Sequence, residues 1–326
     1  MNKKTKAVNN SFLLVRNLST YFYAKKKVIK AVDKVTLEVK KGETVGIAGE
    51  SGCGKSTLAR SILQLVPPPG RIVSGEILYK GHSILKMDDQ RLKNIRGNKI
   101  AIVFQDPSTY LNPTVSIGKQ ICDVIMAHNN VSFGNARSKT IQLLDELGIP
   151  EPEDRFENFP YEFSGGMKQR VLIAMAISCN PELVIADEPT TALDVTIQRQ
   201  ILELIKGMLI KDDSSLLFIT HDLSILAEIC DRIYIMYAGS IIEQAKTVDL
   251  FQKSLHPYTQ KLLAAIPRHD TRKELTEIRG SPPMLDNLPM GCSFYPRCDI
   301  HTEKCHQESP PFRKIDEDHF VRCHNV

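Results

Sequence analysis

Apolar residues recur along this chain with two periods, and their alternation predicts its architecture. "KVTLEV" (residues 34–39) places apolar residues at every second position, the signature of a half-buried strand. "TVGIAG", "NKIAIVFQD", "PELVIADEPTT" and "SLLFITHDL" are instead short, continuous apolar runs, which read as strands buried on both faces. Helical spacing follows the first of these in "STLARSILQLV", which "PPPG" at residues 67–70 then terminates. "GEILYKGHSI" reads as a hairpin, and "SIGKQICDVIMAH" and "SKTIQLLDELGI" are amphipathic helices. Buried strands alternating with helices predict an α/β core with a parallel sheet. The helical stretch over about residues 108–165 reads as a subdomain inserted into that core, and the hairpin as an antiparallel part.

After about Ser240 the pattern weakens. "HPYTQKLLAAIP" suggests a short helix, and "GSPPMLDNLPMG" is rich in proline and glycine. "GCSFYPRCDIHTEKC" and "HFVRC" follow, holding four of the eight cysteines. No internal repeat or coiled coil is visible.

Composition narrows the class. With 326 residues, 42% hydrophobic and 25% charged, the chain has the makeup of a soluble globular protein. A net charge of +4 argues for no particular partner, and a nucleic-acid binder would more often show a basic stripe or a strongly basic domain. No run approaches the ~20 apolar residues that span a bilayer, and "FLLV" is too short for a signal-peptide core. A cytoplasmic chain keeps its thiols reduced, so a C-terminal disulfide framework is not expected.

Candidate chemistry begins at "GESGCGKST", residues 49–57, which fits G-x-x-x-x-G-K-[ST] between a predicted strand and a predicted helix. Gly49, Gly52 and Gly54 let the backbone curl so that the N–H groups of Glu50, Ser51, Cys53 and their neighbours face phosphate oxygens. Lys55 would reach the β- and γ-phosphates, Ser56 would ligate Mg²⁺, and Thr57 closes the motif. Asp187 and Glu188 end the strand "LVIADE", where Asp187 suits Mg²⁺ and Glu188 a general base. His221 and Gln105 end two other apolar strands and are candidates for a γ-phosphate contact and a metal or water ligand. In "FSGGMKQR" the glycines after Ser164 expose amides at a second helix start, which makes sense if it completes another subunit's nucleotide pocket.

In this order and spacing, the motifs over residues 12–245 resemble the ATP-binding subunits of ABC transporters. "GESGCGKST" is similar to the Walker A motif, "LVIADE" to Walker B, and "FSGGMKQR" to the family signature, with Phe163 where leucine is commoner. Gln105 matches the Q-loop, Asp194 in "TALD" the D-loop, and His221 the switch histidine. The resemblance implies a RecA-like P-loop ATPase domain and two ATP molecules sandwiched in a head-to-tail dimer. Ser164, Gly165, Gly166 and Gln169 would face the partner's ATP. An early aromatic would stack on adenine, and Phe22 fits best, with Tyr21 and Tyr23 as competitors. It also implies ATP hydrolysis with Mg²⁺.

"HPYTQKLLAAIP", "GSPPMLDNLPMGCSFYPRC" and "ADEPTTALDVTIQRQIL" extend the resemblance to the oligopeptide/dipeptide importer ATPases, and the length is similar to their D-type subunit. That group implies a bacterial importer of di- or oligopeptides. Its partners would be a second ATPase subunit, two transmembrane permeases and an extracellular substrate-binding protein, with this chain peripheral on the cytoplasmic face of the membrane. Related systems carry nickel, metallophore complexes or other small solutes, an alternative that the residues leave open. An ATPase acting on DNA or ribosomes would carry a long coiled-coil insertion or two ATPase modules, and this chain shows neither.

Cys292, Cys298, Cys305 and Cys323 are spaced C-x5-C-x6-C-x17-C, without the tight pair usual for zinc. The resemblance implies a four-iron four-sulfur cluster on these four thiols, with Zn²⁺ as the alternative. Such a metal would staple a C-terminal extension, residues 246–326, that has few large apolar residues of its own.

Overall fold

The computed structural model describes residues 11–25, 27–190, 195–211, 214–266 and 278–326. The strands are β1 (Leu13–Ala24), β2 (Lys27–Val39), β3 (Thr44–Ala48), β4 (Gly70–Tyr79), β5 (His82–Ser83), β6 (Ile100–Val103), β7 (Leu183–Asp187), β8 (Ser215–Thr220), β9 (Arg232–Tyr237), β10 (Ser240–Lys246), β11 (Arg313–Lys314) and β12 (Phe320–Val321). The helices are α1 (Lys55–Ile62), α2 (Asp89–Ile95), α3 (Pro107–Tyr110), α4 (Ile117–His128), α5 (Phe133–Glu146), α6 (Pro152–Arg155), α7 (Gly165–Ile177), α8 (Val195–Lys211), α9 (Leu223–Ile229), α10 (Thr247–Lys253), α11 (Pro257–Ala264) and α12 (Glu303–Gln307). They divide into two compact units, Met1–Lys86 with Phe218–Val326, and Met87–Leu217. Among the described residues no helix is long and apolar enough to cross a membrane.

The first unit holds an antiparallel sheet in the order β2-β1-β4-β5. Its inner face follows from the period-two pattern: Leu13, Val15 and Leu18 are fully buried and lie opposite Val39, Leu37 and Val35 of β2. A bulge between Val15 and Leu18 keeps both on that face, and Asn17 absorbs it at φ +44°. Asparagine tolerates that left-handed backbone better than most residues. The apolar run of β3 pairs in parallel with β9, from Val45 opposite Arg232 to Ala48 opposite Ile235. Every residue of β9 is buried, as expected for a strand covered on both faces.

The C-terminal segment joins this same unit. β10 pairs with β9, β12 with β10 and β11 with β12, all antiparallel. Phe294 packs edge-on against Tyr237 and Tyr258, with ring centroids 5.3 and 5.4 Å away. The C-terminal segment thus packs onto the core of the unit through Phe294.

In the second unit β6 and β7 pair in parallel, from Ile100 opposite Leu183 to Val103 opposite Ala186. Helices α3–α6 occupy much of the stretch read as a helical insert. Ile117, Ile121 and Ile125 recur at four-residue intervals along the buried stripe of α4, and Leu143 and Leu144 lie on that of α5. α2 starts on Asp88, whose Oδ1 accepts from the Arg91 N–H at 2.8 Å.

Candidate functional site

Residues 49–57 leave β3 and enter α1 in the first unit. A Cβ on Gly54 (φ +110°) would lie 1.9 Å from the Ala31 carbonyl oxygen, and one on Gly49 2.2 Å from that of Met236. Only glycine fits at either place. Gly54 is also the N-cap of α1 and offers no side chain to its first N–H groups, which suits them to an anion. Lys55 is buried, and its Nζ donates to the carbonyls of Gly49 (2.7 Å) and Glu50 (3.1 Å), so the ammonium is held against the loop. Ser56 and Thr57 are half-buried in the first turn, while Ser51 and Gly52 are exposed. Burial pushes the Cys53 thiol up, which suits it to packing rather than to reactivity.

The three early aromatics differ in their surroundings. The Tyr21 hydroxyl donates to Asp33 (2.7 Å), and burial pushes its pKa up to about 12. Arg71 stacks over the Tyr23 ring at 4.1 Å. Thr20 hydrogen-bonds Ser61 of α1 at 2.8 Å, so Phe22, two residues on, shares the face of β1 that meets the loop's helix. Its ring lies on Gly70, where a Cβ would approach within 2.5 Å. His221 is exposed just beyond β8, and its neighbour Asp222 caps α9 by accepting from the Ser224 N–H at 2.9 Å.

The other candidates lie in the second unit. Asp187 is 1% exposed at the end of β7. Glu188 follows with a left-handed backbone, φ +47°, which for a residue with a Cβ costs about 1–3 kcal/mol. Gln105 Nε2 donates to Glu188 Oε2 at 3.0 Å, joining two residues 83 positions apart. Ser164 caps α7, its Oγ accepting from the Met167 N–H at 3.3 Å. A Cβ on Gly165 would meet nothing within 4 Å, whereas one on Gly166 would lie 3.1 Å from Ile197. Gln169, grouped with these residues in the sequence, is buried, and its Nε2 has no hydrogen-bond partner among the described residues. Asp194 lies outside the described residues.

The metal centre expected at Cys292, Cys298, Cys305 and Cys323, whether iron–sulfur or Zn²⁺, is corrected by the structure. Among the described residues no three His, Cys, Asp or Glu side chains are arranged to hold a metal ion. All four thiols are free, and other bonds engage two of them: Cys305 Sγ with Thr302 Oγ1 (3.5 Å), and Cys323 Sγ with the Asn325 N–H (3.4 Å). Burial pushes the Cys292 thiol up to about 11 and raises those of Cys298 and Cys323.

Polar anchors that sequence reasoning missed hold this segment. Arg297 pairs with Glu50. The buried Glu243 accepts from the N–H groups of Leu255 (2.7 Å) and His256 (3.0 Å), and its Oε1 lies 2.8 Å from His319 Nε2. One signal in the sequence was Glu50 itself, an acid inside an anion-binding loop and therefore in need of a counter-charge.

The ABC transporter family model matches residues 32–191, and that of the oligopeptide/dipeptide transporter C-terminal region matches residues 242–305. The chain is 45% identical to the oligopeptide transport ATP-binding protein OppD of Bacillus subtilis, over 95% of this chain and 87% of that one. It is 44% identical to the dipeptide transport ATP-binding protein DppD of the same organism, over 95% and 93%. A dimeric ATP-binding cassette solved in a post-hydrolysis state with ADP and Pi is 29% identical, covering 72% of this chain and 98% of that one with a TM-score of 0.65. With its mixed α/β sheets, its glycine-walled loop and its Gln105–Glu188 pair, the chain belongs to the ATP-hydrolysing ABC transporter family.

Proposed function

We infer that this chain is the ATP-hydrolysing subunit of a bacterial importer that drives uptake of di- or oligopeptides through separate permease subunits. The observation that carries hydrolysis is Glu188: a nearly buried carboxylate, turned by a left-handed backbone and held at one oxygen by Gln105. Such a group takes the proton of an attacking water as general base. The glycine-walled loop fits the substrate's phosphates, because it crowds out every Cβ at Gly49 and Gly54 yet leaves open space beside Gly52. Lys55 supplies the positive charge there, His221 a contact to the γ-phosphate, and Phe22 a stacking face for the base.

Mg²⁺ takes oxygen ligands, and Ser56, Gln105 and Asp187 offer a hydroxyl, an amide oxygen and a carboxylate. When bound it would neutralise charge developing on the transferred phosphoryl group. Ser164, Gly165, Gly166 and Gln169 are assigned to a second subunit's nucleotide, and Asp194 to the D-loop. Residues 12–245 form the RecA-like ATPase domain in this reading, with the helical subdomain at about 108–165, and residues 246–326 the C-terminal extension. The partners are a second ATPase subunit, two permeases and an extracellular substrate-binding protein, with this chain peripheral on the cytoplasmic face. The names of the relatives support peptides as the cargo.

Glu188→Gln tests the reading in the assembled complex. ATP binding should persist while turnover falls by roughly 10²–10⁴-fold, the usual worth of a general base. Wild-type turnover would sink the assignment. Uptake of a labelled dipeptide should stop in cells whose only copy is this variant, and undiminished uptake would count against the transport role.

A further inference from the structure

Glu50 puts a carboxylate in the loop that must receive a polyanion. Arg297, 247 residues later, meets it with both terminal nitrogens: Nη1 donates to Oε2 at 2.7 Å and Nη2 to Oε1 at 2.9 Å. A two-pronged pair of this kind fixes direction as well as charge. The guanidinium is itself locked in place. It is 7% exposed, Nε donates to the Arg279 carbonyl at 3.0 Å, and Nη1 also reaches the Tyr237 hydroxyl at 3.3 Å. The same loop residue is gripped at its backbone, where the Glu50 N–H donates to the Tyr258 hydroxyl at 2.9 Å. Tyr258 is fully buried and packs on Tyr237, with ring centroids 4.6 Å apart. Two residues of the C-terminal segment therefore hold Glu50 at both ends, and Glu50 precedes the turn that ends at Lys55.

We propose that Arg297 is a positioning residue for ATP: it draws the Glu50 carboxylate aside and neutralises it, and with Tyr258 it sets the phosphate loop in its binding shape. The proposal rests on the reading of residues 49–57 as the phosphate site. The C-terminal segment thereby acquires a task beyond packing, because its anchorage and the affinity for ATP share one ion pair.

The test uses the full-length chain assembled with its permeases, reading KM and kcat for ATP hydrolysis and the Kd of a fluorescent ATP analogue. Arg297→Ala should raise Kd and KM about tenfold with kcat within about twofold, the split expected when binding rather than the chemical step is lost. Arg297→Lys should recover only part of the loss, because an ammonium cannot make the two-pronged pair. Adding Glu50→Gln to Arg297→Ala should recover most of the affinity, because the charge left uncompensated is gone. A purely structural arginine would lower the melting temperature, and the second change would not rescue it. Tyr258→Phe keeps the buried ring and should raise KM about threefold through the lost hydrogen bond. Wild-type KM in Arg297→Ala, or no recovery in the double variant, overturns the proposal. If Arg297→Ala does not fold, unchanged KM in both Arg297→Lys and Tyr258→Phe overturns it. Lys55→Ala separates the two readings: ATP binding that survives it overturns the phosphate site itself.

Discussion

α1 and α7 both begin beside glycines, and both are proposed as phosphate sites, yet they are built in opposite ways. At α1 the glycines are forced by what surrounds them, since the Ala31 and Met236 carbonyls occupy the space of any side chain. No side chain caps that helix. At α7 Ser164 supplies its own cap, and a Cβ on Gly165 would meet nothing within 4 Å among the described residues. One glycine type yields to the protein's own backbone, the other leaves clearance for something outside it. A third helix start, at α11, is capped by a buried imidazole: His256 Nδ1 accepts from the Tyr258 N–H at 3.0 Å. The contrast teaches that two glycine-rich helix starts can be built differently, one without a side-chain cap and crowded by backbone, the other capped by its own serine.

Gly54→Ala should break this contrast most severely. The new Cβ meets a carbonyl at 1.9 Å on a left-handed backbone, so a loss of about 3 kcal/mol or more and of ATP-analogue binding is expected, read by thermal melts and fluorescence titration. A variant with wild-type melting and binding would show that the loop is not rigid.

His256 should come next, through pH. Burial holds its imidazole down at about 3, while a bond to the Arg322 backbone pulls weakly the other way. An unfolded histidine titrates near 6.5, so below that pH the unfolded chain takes up a proton that the fold refuses. This contribution to stability is complete above pH ~6.5 and declines by about 1.4 kcal/mol per unit as the pH falls towards 3. Melts at pH 7.5 and 5.5 should differ accordingly, and His256→Asn, a cap that does not titrate, should narrow the gap. Glu243 and His319 lie alongside, so the difference between wild type and variant is the measurement.

Ser164→Ala should cost about 1 kcal/mol by removing the cap of α7, seen as a lower denaturation midpoint. Gly165→Ala should change stability least, by less than about 0.5 kcal/mol, since its methyl meets nothing and alanine favours a helix. If Gly165 is clearance for a second subunit's nucleotide, ATPase activity of the assembled complex should still fall. Stability and activity both unchanged would leave that glycine with no role in the site.

Local chemistry made much of this protein readable. Glycine spacing, the lysine that follows it and the paired acids ending an apolar strand each answer a short-range demand, so "GESGCGKST" and "LVIADE" could be placed on their elements in advance. Gln105 and Glu188 were candidates from their strand ends, but their meeting at 3.0 Å required the parallel pairing of β6 with β7. The cysteines misled for the complementary reason. Four thiols close in sequence suggested a metal staple, while their neighbours Phe294, Arg297 and His319 found partners far away in Tyr237, Glu50 and Glu243. Gln169, named with the signature residues, lies buried in α7.

The amino-acid sequence by itself determined the alternation of strand and helix, the phosphate loop and the acids, because each depends on residues within one element or one turn. Tertiary structure alone decided that the C-terminal segment would join the first unit and that Arg297 would find Glu50. Contacts between residues hundreds of positions apart depend on which faces of the chain are brought together, and periodicity names a face without naming its partner.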